Sequence, residues 1–159
     1  MKEIDITIKI KLCNPQELTA DDRELVERAI KATENAYAPY SHFYVGAAIR
    51  LQDGTIFTGA NQENAAFTSG TCAERATLFA AQSQRPDQPL STIAIAARNA
   101  AGLLKQPIPP CGQCRQALLE MEDRYKKPLR LLLYGTEGIY VINSVKDILP
   151  LTFVGDTMK

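Results

Sequence analysis

Three of the chain's four cysteines fall in two short pieces, Cys72-Ala73-Glu74-Arg75 and Pro110-Cys111-Gly112-Gln113-Cys114-Arg115. Taken alone, Cys111-x-x-Cys114 fits a redox pair, half of a zinc site or chance. A Cys-x-Glu far ahead of a Pro-Cys-x-x-Cys is narrower. Three thiolates fill three positions of tetrahedral zinc and leave the fourth open, which is what a catalytic zinc needs for water. A structural site would normally carry a fourth ligand. His42 is the only histidine, and nothing in its spacing brings it to either piece; a surface or hydrogen-bonded imidazole is the preferred reading. The expectation is one zinc per chain, on Cys72, Cys111 and Cys114.

Glu74 has two readings. Thr71-Cys72-Ala73-Glu74 is a T-x-x-E capping box, in which the glutamate only closes a helix start. Beside a three-cysteine metal site, a carboxylate is placed to act as general acid and base on a reacting water, and this is the reading adopted. Zinc with three thiolates carries a formal charge of about −1. A guanidinium donating to sulfur withdraws charge and restores Lewis acidity. Arg75 and Arg115 each follow a ligand piece directly and are the candidates for that role. The alternative is that both are exposed and paired with carboxylates.

These residues need two helix starts to hold them. Residues 72 to 83 read as a helix with Ala76, Leu78, Phe79 and Ala80 as core candidates, and residues 110 to 125 as another with Ala117, Leu118 and Met121 inward. A helix N-terminus offers unpaired N–H groups and the positive end of the macrodipole, which favour a thiolate. Cys111 and Cys114, three apart, share a face of a first turn. Cys72 and Glu74, two apart, converge only on something beyond the helix end. A metal between two helix N-termini satisfies both spacings.

The remaining elements form the frame. Ile4, Ile6, Ile8, Ile10 and Leu12 alternate at period two, a half-buried strand signal. Thr19 to Asp22 offers caps for a helix through residue 38, with Leu25, Val26, Ala29, Ile30 and Thr33 inward. Strands are expected at residues 43–51 and 55–60, joined by Asp53-Gly54, a hairpin turn signal. Others are expected at 92–98, 129–134 and 139–142, with a short helix at 145–149. Residues 61–70 and 100–110 read as loops. A hairpin followed by alternating helix and strand implies an α/β domain with a mixed sheet covered by helices.

Composition narrows the class further. The 159 residues show no repeat, and Lys plus Arg (18) equals Asp plus Glu (18). Zero net charge argues against nucleic acid as partner. No apolar run reaches membrane-spanning length, and the alternating N-terminus is unlike a signal peptide. Clustered thiols suit the reducing cytoplasm. Cys13 stands apart and reads as an unpaired, at least half-buried thiol.

Five motifs occur in the order seen in cytidine deaminases: Tyr37-Ala38-Pro39-Tyr40-Ser41, Phe43-Tyr44-Val45-Gly46-Ala47-Ala48, Asn61-Gln62-Glu63-Asn64-Ala65-Ala66, Cys72-Ala73-Glu74-Arg75 and Pro110-Cys111-Gly112-Gln113-Cys114-Arg115-Gln116. C-x-E with P-C-x-x-C is also the zinc nucleoside and nucleobase deaminase signature, which allows three cysteines. The chain resembles the short, homotetrameric, three-cysteine kind, with a family-like core over residues 22–153 of a single domain and an N-terminal extension over 1–15. The resemblance implies a three-layer α/β/α fold with a mixed five-stranded sheet, to which residues 4–12 add an extra N-terminal strand. It implies hydrolysis of cytidine and 2′-deoxycytidine to the uridine forms and ammonia, a step of pyrimidine salvage. It implies that Phe43 packs on the pyrimidine, that Asn61 and Glu63 bind the ribose, and that the Ala73 backbone reads the base edge. Phe67 stands where many relatives have tyrosine, so a hydroxyl near the sugar is missing. Phe153 looks like the residue that reaches a neighbouring subunit's site. The partner is then a small-molecule nucleoside. Rival readings are a deaminase of another aminated heterocycle, a non-catalytic zinc module with no need of Glu74, and a thioredoxin-like protein using Cys111 and Cys114.

Overall fold

The computed structural model describes all 159 residues. In chain order it has β1 (Lys11–Cys13), α1 (Ala20–Ala32), β2 (Tyr44–Leu51), β3 (Ile56–Ala60), α2 (Ala73–Gln84), β4 (Leu90–Asn99), β5 (Gly102–Leu103), α3 (Gly112–Tyr125), β6 (Arg130–Gly135) and β7 (Gly138–Ile142). One sheet runs β1-β7-β6-β4-β2-β3, with β5 added to β4. β4 and β6 are parallel and every other pair is antiparallel. The five longer strands are the expected mixed sheet.

Side-chain size divides the two faces of that sheet. Val45, Ala47, Ile49 and Leu51 of β2, Ile93 and Ile95 of β4, and Leu131 and Leu133 of β6 pack with Leu78 of α2 and Leu118 and Leu119 of α3. On the opposite face β2 and β4 present small residues, Ala48, Ala94 and Ala96, which meet Leu25, Val26 and Ala29 of α1, while Leu132, Ile139 and Val141 of β6 and β7 complete that cluster. Gly46 lies on this face, where a Cβ would strike the backbone of Ala29 and Thr33. The chain therefore builds three layers, with α1 seated close on one side and α2 and α3 on the other.

α1 is capped as its sequence indicates, the Thr19 hydroxyl accepting from Asp22 N at 3.2 Å. It ends at Ala32 rather than 38, because the Thr33 hydroxyl donates back to Ile30 O at 2.7 Å and the chain tightens into a 3₁₀ turn over Thr33–Asn35. Asp22 is buried and paired with Arg130 of β6 through two hydrogen bonds of 2.8 and 2.6 Å, tying α1 to the sheet. Glu122, also buried, accepts from Leu129 N and Val145 N and so anchors both ends of the β6–β7 hairpin to α3. Cys13 is half-buried and free, its thiol 3.7 Å from Ile139 O.

Two further expectations are corrected. The strand expected over residues 4–12 forms only at Lys11–Cys13, which pairs with Val141 to Ile139. β7 stops at Ile142, which the register sets opposite Ile10, so no strand of this chain stands opposite the residues before Ile10. Ile4, Ile6, Ile8 and Ile10 are exposed. Phe79, expected in the core, is 55% exposed. Glu74, Thr77, Leu78 and Ala81 are the buried stripe of α2, and Phe79 lies about 100° round the helix from Leu78. No helix is long and apolar enough to cross a membrane.

Candidate metal centre and substrate cleft

Both ligand-bearing helices begin on a cysteine. Cys72 is the N-cap of α2 and Cys111 the N-cap of α3, each with extended backbone and neither with a side-chain cap bond. Their thiols are thus free to turn outward from the helix ends. Cys114 follows in the first turn of α3 and is fully buried. The three sulfurs lie within 4.8 Å of one another, and Cys72 Sγ and Cys111 Sγ are 3.9 Å apart. A zinc–sulfur bond of about 2.3 Å in tetrahedral geometry separates two sulfurs by about 3.8 Å. A disulfide needs about 2.05 Å. The corner fits one metal ion and no disulfide, and a soft three-thiol donor set at two helix N-termini suits zinc. His42 belongs to no such group.

The electrostatics of the corner ask for a cation. Cys72 is pulled down to about 5, chiefly by hydrogen bonding from the Cys114 thiol, against burial and with help from Arg75. Cys114 is pushed up, by holding that hydrogen bond, by burial and by the Glu74 charge. Three thiolates this close cannot share the corner unaided, so one ionises while its neighbour keeps a proton. A bound divalent ion removes that conflict. Arg75 Nη2 lies 3.8 Å from Cys72 Sγ, the position from which a guanidinium offsets the negative charge of three thiolates. Arg115 spends its donors elsewhere: Nε on Pro110 O at 2.8 Å and Nη1 on Ile148 O at 2.6 Å. It holds the ligand loop against the C-terminal segment and gives no hydrogen bond to a sulfur.

Glu74 sits in the first turn of α2, 5% exposed, and takes no hydrogen bond from another residue's side chain or backbone. It is not half of a capping box, since the N-cap is Cys72 and the Thr71 hydroxyl donates to Cys72 O at 3.4 Å. Burial, its own N–H opposing, and then the Cys72 charge push its pKa to about 7. A buried carboxyl without a partner is costly, and one poised near neutrality beside a metal corner is suited to passing protons in both directions.

A cleft of about 820 Å³ opens over Cys72, Cys111 and Glu74. Phe43, Asn61, Glu63, Phe67 and Ala73 all line it. Asn61 accepts from Val45 N at 2.7 Å and donates to Phe43 O at 2.9 Å, so it fixes the start of β2 and the backbone at Phe43. The second N–H of its amide remains for a ligand. Glu63 accepts from Tyr40 N at 2.9 Å, from Ser41 N at 3.2 Å and from the Ser41 hydroxyl. These bonds, the hydroxyl's first, hold its carboxyl below the usual range. Phe67 is 78% exposed and meets Tyr40 edge to face, ring centres 5.6 Å apart. Ala73 is fully buried at the first position of α2. Phe153 is exposed and lies outside this chain's cleft, its carbonyl accepting from Gln116 at 3.0 Å.

The residues that sequence reasoning missed are Tyr40 and Ser41. They appear only as part of a motif, yet they form the cleft wall that Glu63 organises. A short Pro-Tyr-Ser turn has no periodicity to expose it. The dependence of Glu63 on a segment over twenty positions earlier is visible only in three dimensions.

The family model for the cytidine and deoxycytidylate deaminase zinc-binding region matches residues 19–126. The chain belongs to the cytidine deaminase family. The cytidine deaminase of Halalkalibacterium halodurans is 39% identical over 140 residues, covering 87% of this chain and 98% of that one. That of Sporosarcina psychrophila is 41% identical over 128 residues, covering 80% and 82%. The crystal structure of the Burkholderia pseudomallei cytidine deaminase superposes with a TM-score of 0.71 at 38% identity, over 86% of this chain and all of that one. The chain is the short form of the family, and Cys72, Cys111 and Cys114 are its zinc site.

Proposed function

We propose that this chain hydrolyses cytidine and 2′-deoxycytidine to uridine and 2′-deoxyuridine, releasing ammonia. The observation that carries the reading is the unpartnered Glu74 carboxyl, buried beside a three-thiol corner in a cleft with room for a nucleoside. Bound zinc supplies Lewis acidity that makes water a nucleophile near neutral pH. Glu74 takes one proton from the attacking water and delivers it to the pyrimidine N3 as the oxygen bonds to C4. It then takes the second proton from that oxygen and gives it to the amine, so that the C4–N bond breaks, ammonia leaves and the C4 carbonyl of the uridine forms. The Phe43 ring and the buried Ala73 backbone set the base against the corner. Arg75 holds Cys72 and offsets its charge. Glu63, already fixed by residues 40 and 41, offers its remaining lone pairs to the sugar's 3′-hydroxyl, and Asn61 offers its second N–H. Phe153, exposed and turned away from its own cleft, completes the site of a neighbour in a homotetramer. We place the chain, read as one domain over residues 1–159, in the cytoplasm.

An ultraviolet assay with cytidine, deoxycytidine and cytosine tests this reading. Cytidine and deoxycytidine are both good substrates, since both keep the 3′-hydroxyl. Cytosine, lacking the sugar that orients the ring, loses kcat as well as affinity. Glu63→Ala lowers kcat/KM on cytidine by about ten- to a hundredfold, the worth of a charged hydrogen bond, and leaves the cytosine rate almost unchanged. Equal efficiency on cytosine and cytidine in the wild type points instead to a deaminase of another heterocycle.

A further inference from the structure

The ten residues before β1 form no helix, strand or turn, and all are exposed. They carry two interleaved patterns. Even positions are Ile4, Ile6, Ile8 and Ile10; odd positions are Glu3, Asp5, Thr7, Lys9 and, in β1, Lys11. None of these four charged groups makes an ion pair within the chain. The segment leads into the edge strand β1, whose outer side faces no other strand, and it extends past the end of β7. It is a strand-patterned arm with its hydrogen-bonding partner missing.

We propose that this arm pairs antiparallel with the same arm of a second copy of the chain, about a twofold axis through Thr7. The charges choose both partner and register. Centred on Thr7, an antiparallel pair sets Glu3 opposite Lys11, Asp5 opposite Lys9 and Thr7 opposite Thr7. On the other face it sets Ile4 opposite Ile10 and Ile6 opposite Ile8. Across residues 3–11 every charge meets its opposite and every isoleucine meets another, the pairings that favour adjacent strands. A parallel in-register pair would stack Glu3 on Glu3 and Lys9 on Lys9. Moving the antiparallel register by two residues puts Thr7 against one of the charges and leaves another without its opposite. A twofold contact is also the self-complementary arrangement open to two identical surfaces. The arm and the cleft share no residue, so the pairing stands apart from the proposed deamination.

Cysteine cross-linking in the full-length holoenzyme tests the register. Across an antiparallel pair, identical residues on the axis have Cα atoms about 4.5–5.5 Å apart, inside disulfide range. Under oxidised glutathione, Thr7→Cys therefore gives a covalent dimer as its main species. Asp5→Cys, with its two copies roughly 14 Å apart by strand rise, gives none above the wild-type background. Glu3→Cys mixed with Lys11→Cys cross-links only as the mixed pair. A charge test accompanies it. Lys9→Glu with Lys11→Glu, introduced into the Thr7→Cys background, lowers cross-linking at least tenfold, and adding Glu3→Lys with Asp5→Lys restores it. Deaminase activity on the same samples shows that each variant is folded. Equal cross-linking at positions 5 and 7, no cross-linking at either in active protein, or no rescue by the second charge pair would overturn the proposal.

Discussion

The zinc corner and the N-terminal arm carry the two most regular chemical patterns in the chain, and the fold treats them oppositely. Cys72 from the start of α2 and Cys111 and Cys114 from the start of α3 still meet within 4.8 Å. Each is set by an element whose ends are fixed by the packed face of α2 and α3. The arm alternates apolar and polar residues without a break, yet only its last part pairs, at Lys11–Cys13. Spacing in a sequence states what a segment requires. Whether one chain meets the requirement depends on what the topology places opposite, and β7 ends too soon to serve the arm.

The widest difference is expected at the corner itself. Cys111→Ala removes one of three ligands and abolishes both zinc retention and turnover while the sheet core stays folded, as metal analysis and circular dichroism will show. Zinc kept undiminished in that variant would mean the corner does not depend on its three thiols. A middle case is the Asp22–Arg130 pair, where partners from distant segments do meet. Burial draws the Asp22 pKa up, but the hydrogen bonds and charge of Arg130 outweigh it, and the net shift is downward. A depressed carboxyl stabilises the fold above its unfolded pKa of about 3.9 and loses that contribution as pH falls through the folded value. Asp22→Asn should therefore cost about 2 kcal/mol at neutral pH, with the gap to wild type closing below about pH 4 in denaturant titrations. A gap independent of pH would remove the ionic account. The smallest catalytic effect belongs to the arm. Deleting residues 1–10 should leave kcat per site within about a factor of two, as surface changes remote from a site usually do. A tenfold loss would join the two regions that the structure keeps apart.

The sequence made local requirements legible and left long-range placement to the fold. Thr19 at the α1 cap, Asp53-Gly54 in the β2–β3 turn and the cysteine spacings all act over a few residues, and each stands where its chemistry indicates. Phe79 was misplaced because hydrophobicity outweighed helical phase. Arg115 looked like a sulfur partner from its position beside a ligand; the carbonyls of Pro110 and Ile148 that claim it come from a loop and a segment 33 residues away. The bonds of Asn61 to Phe43 and Val45 likewise depend on β2 and β3 being neighbours. Small residues on one sheet face show, after the fact, where α1 sits, but period two alone does not say which helix covers which face.

The central claim is that Glu74 moves the protons at a zinc corner rather than closing a helix. Its most direct test is the cytidine turnover of Glu74→Gln, measured on protein whose zinc content equals that of the wild type. Glutamine keeps the size and the helix start but can neither take up nor release the proton. Positioned proton transfer is typically worth about 10²–10⁴-fold, so the account predicts a loss of kcat of at least a hundredfold with zinc and thermal stability retained. A variant that binds zinc normally and keeps more than about a tenth of wild-type kcat, well inside that range, would contradict it.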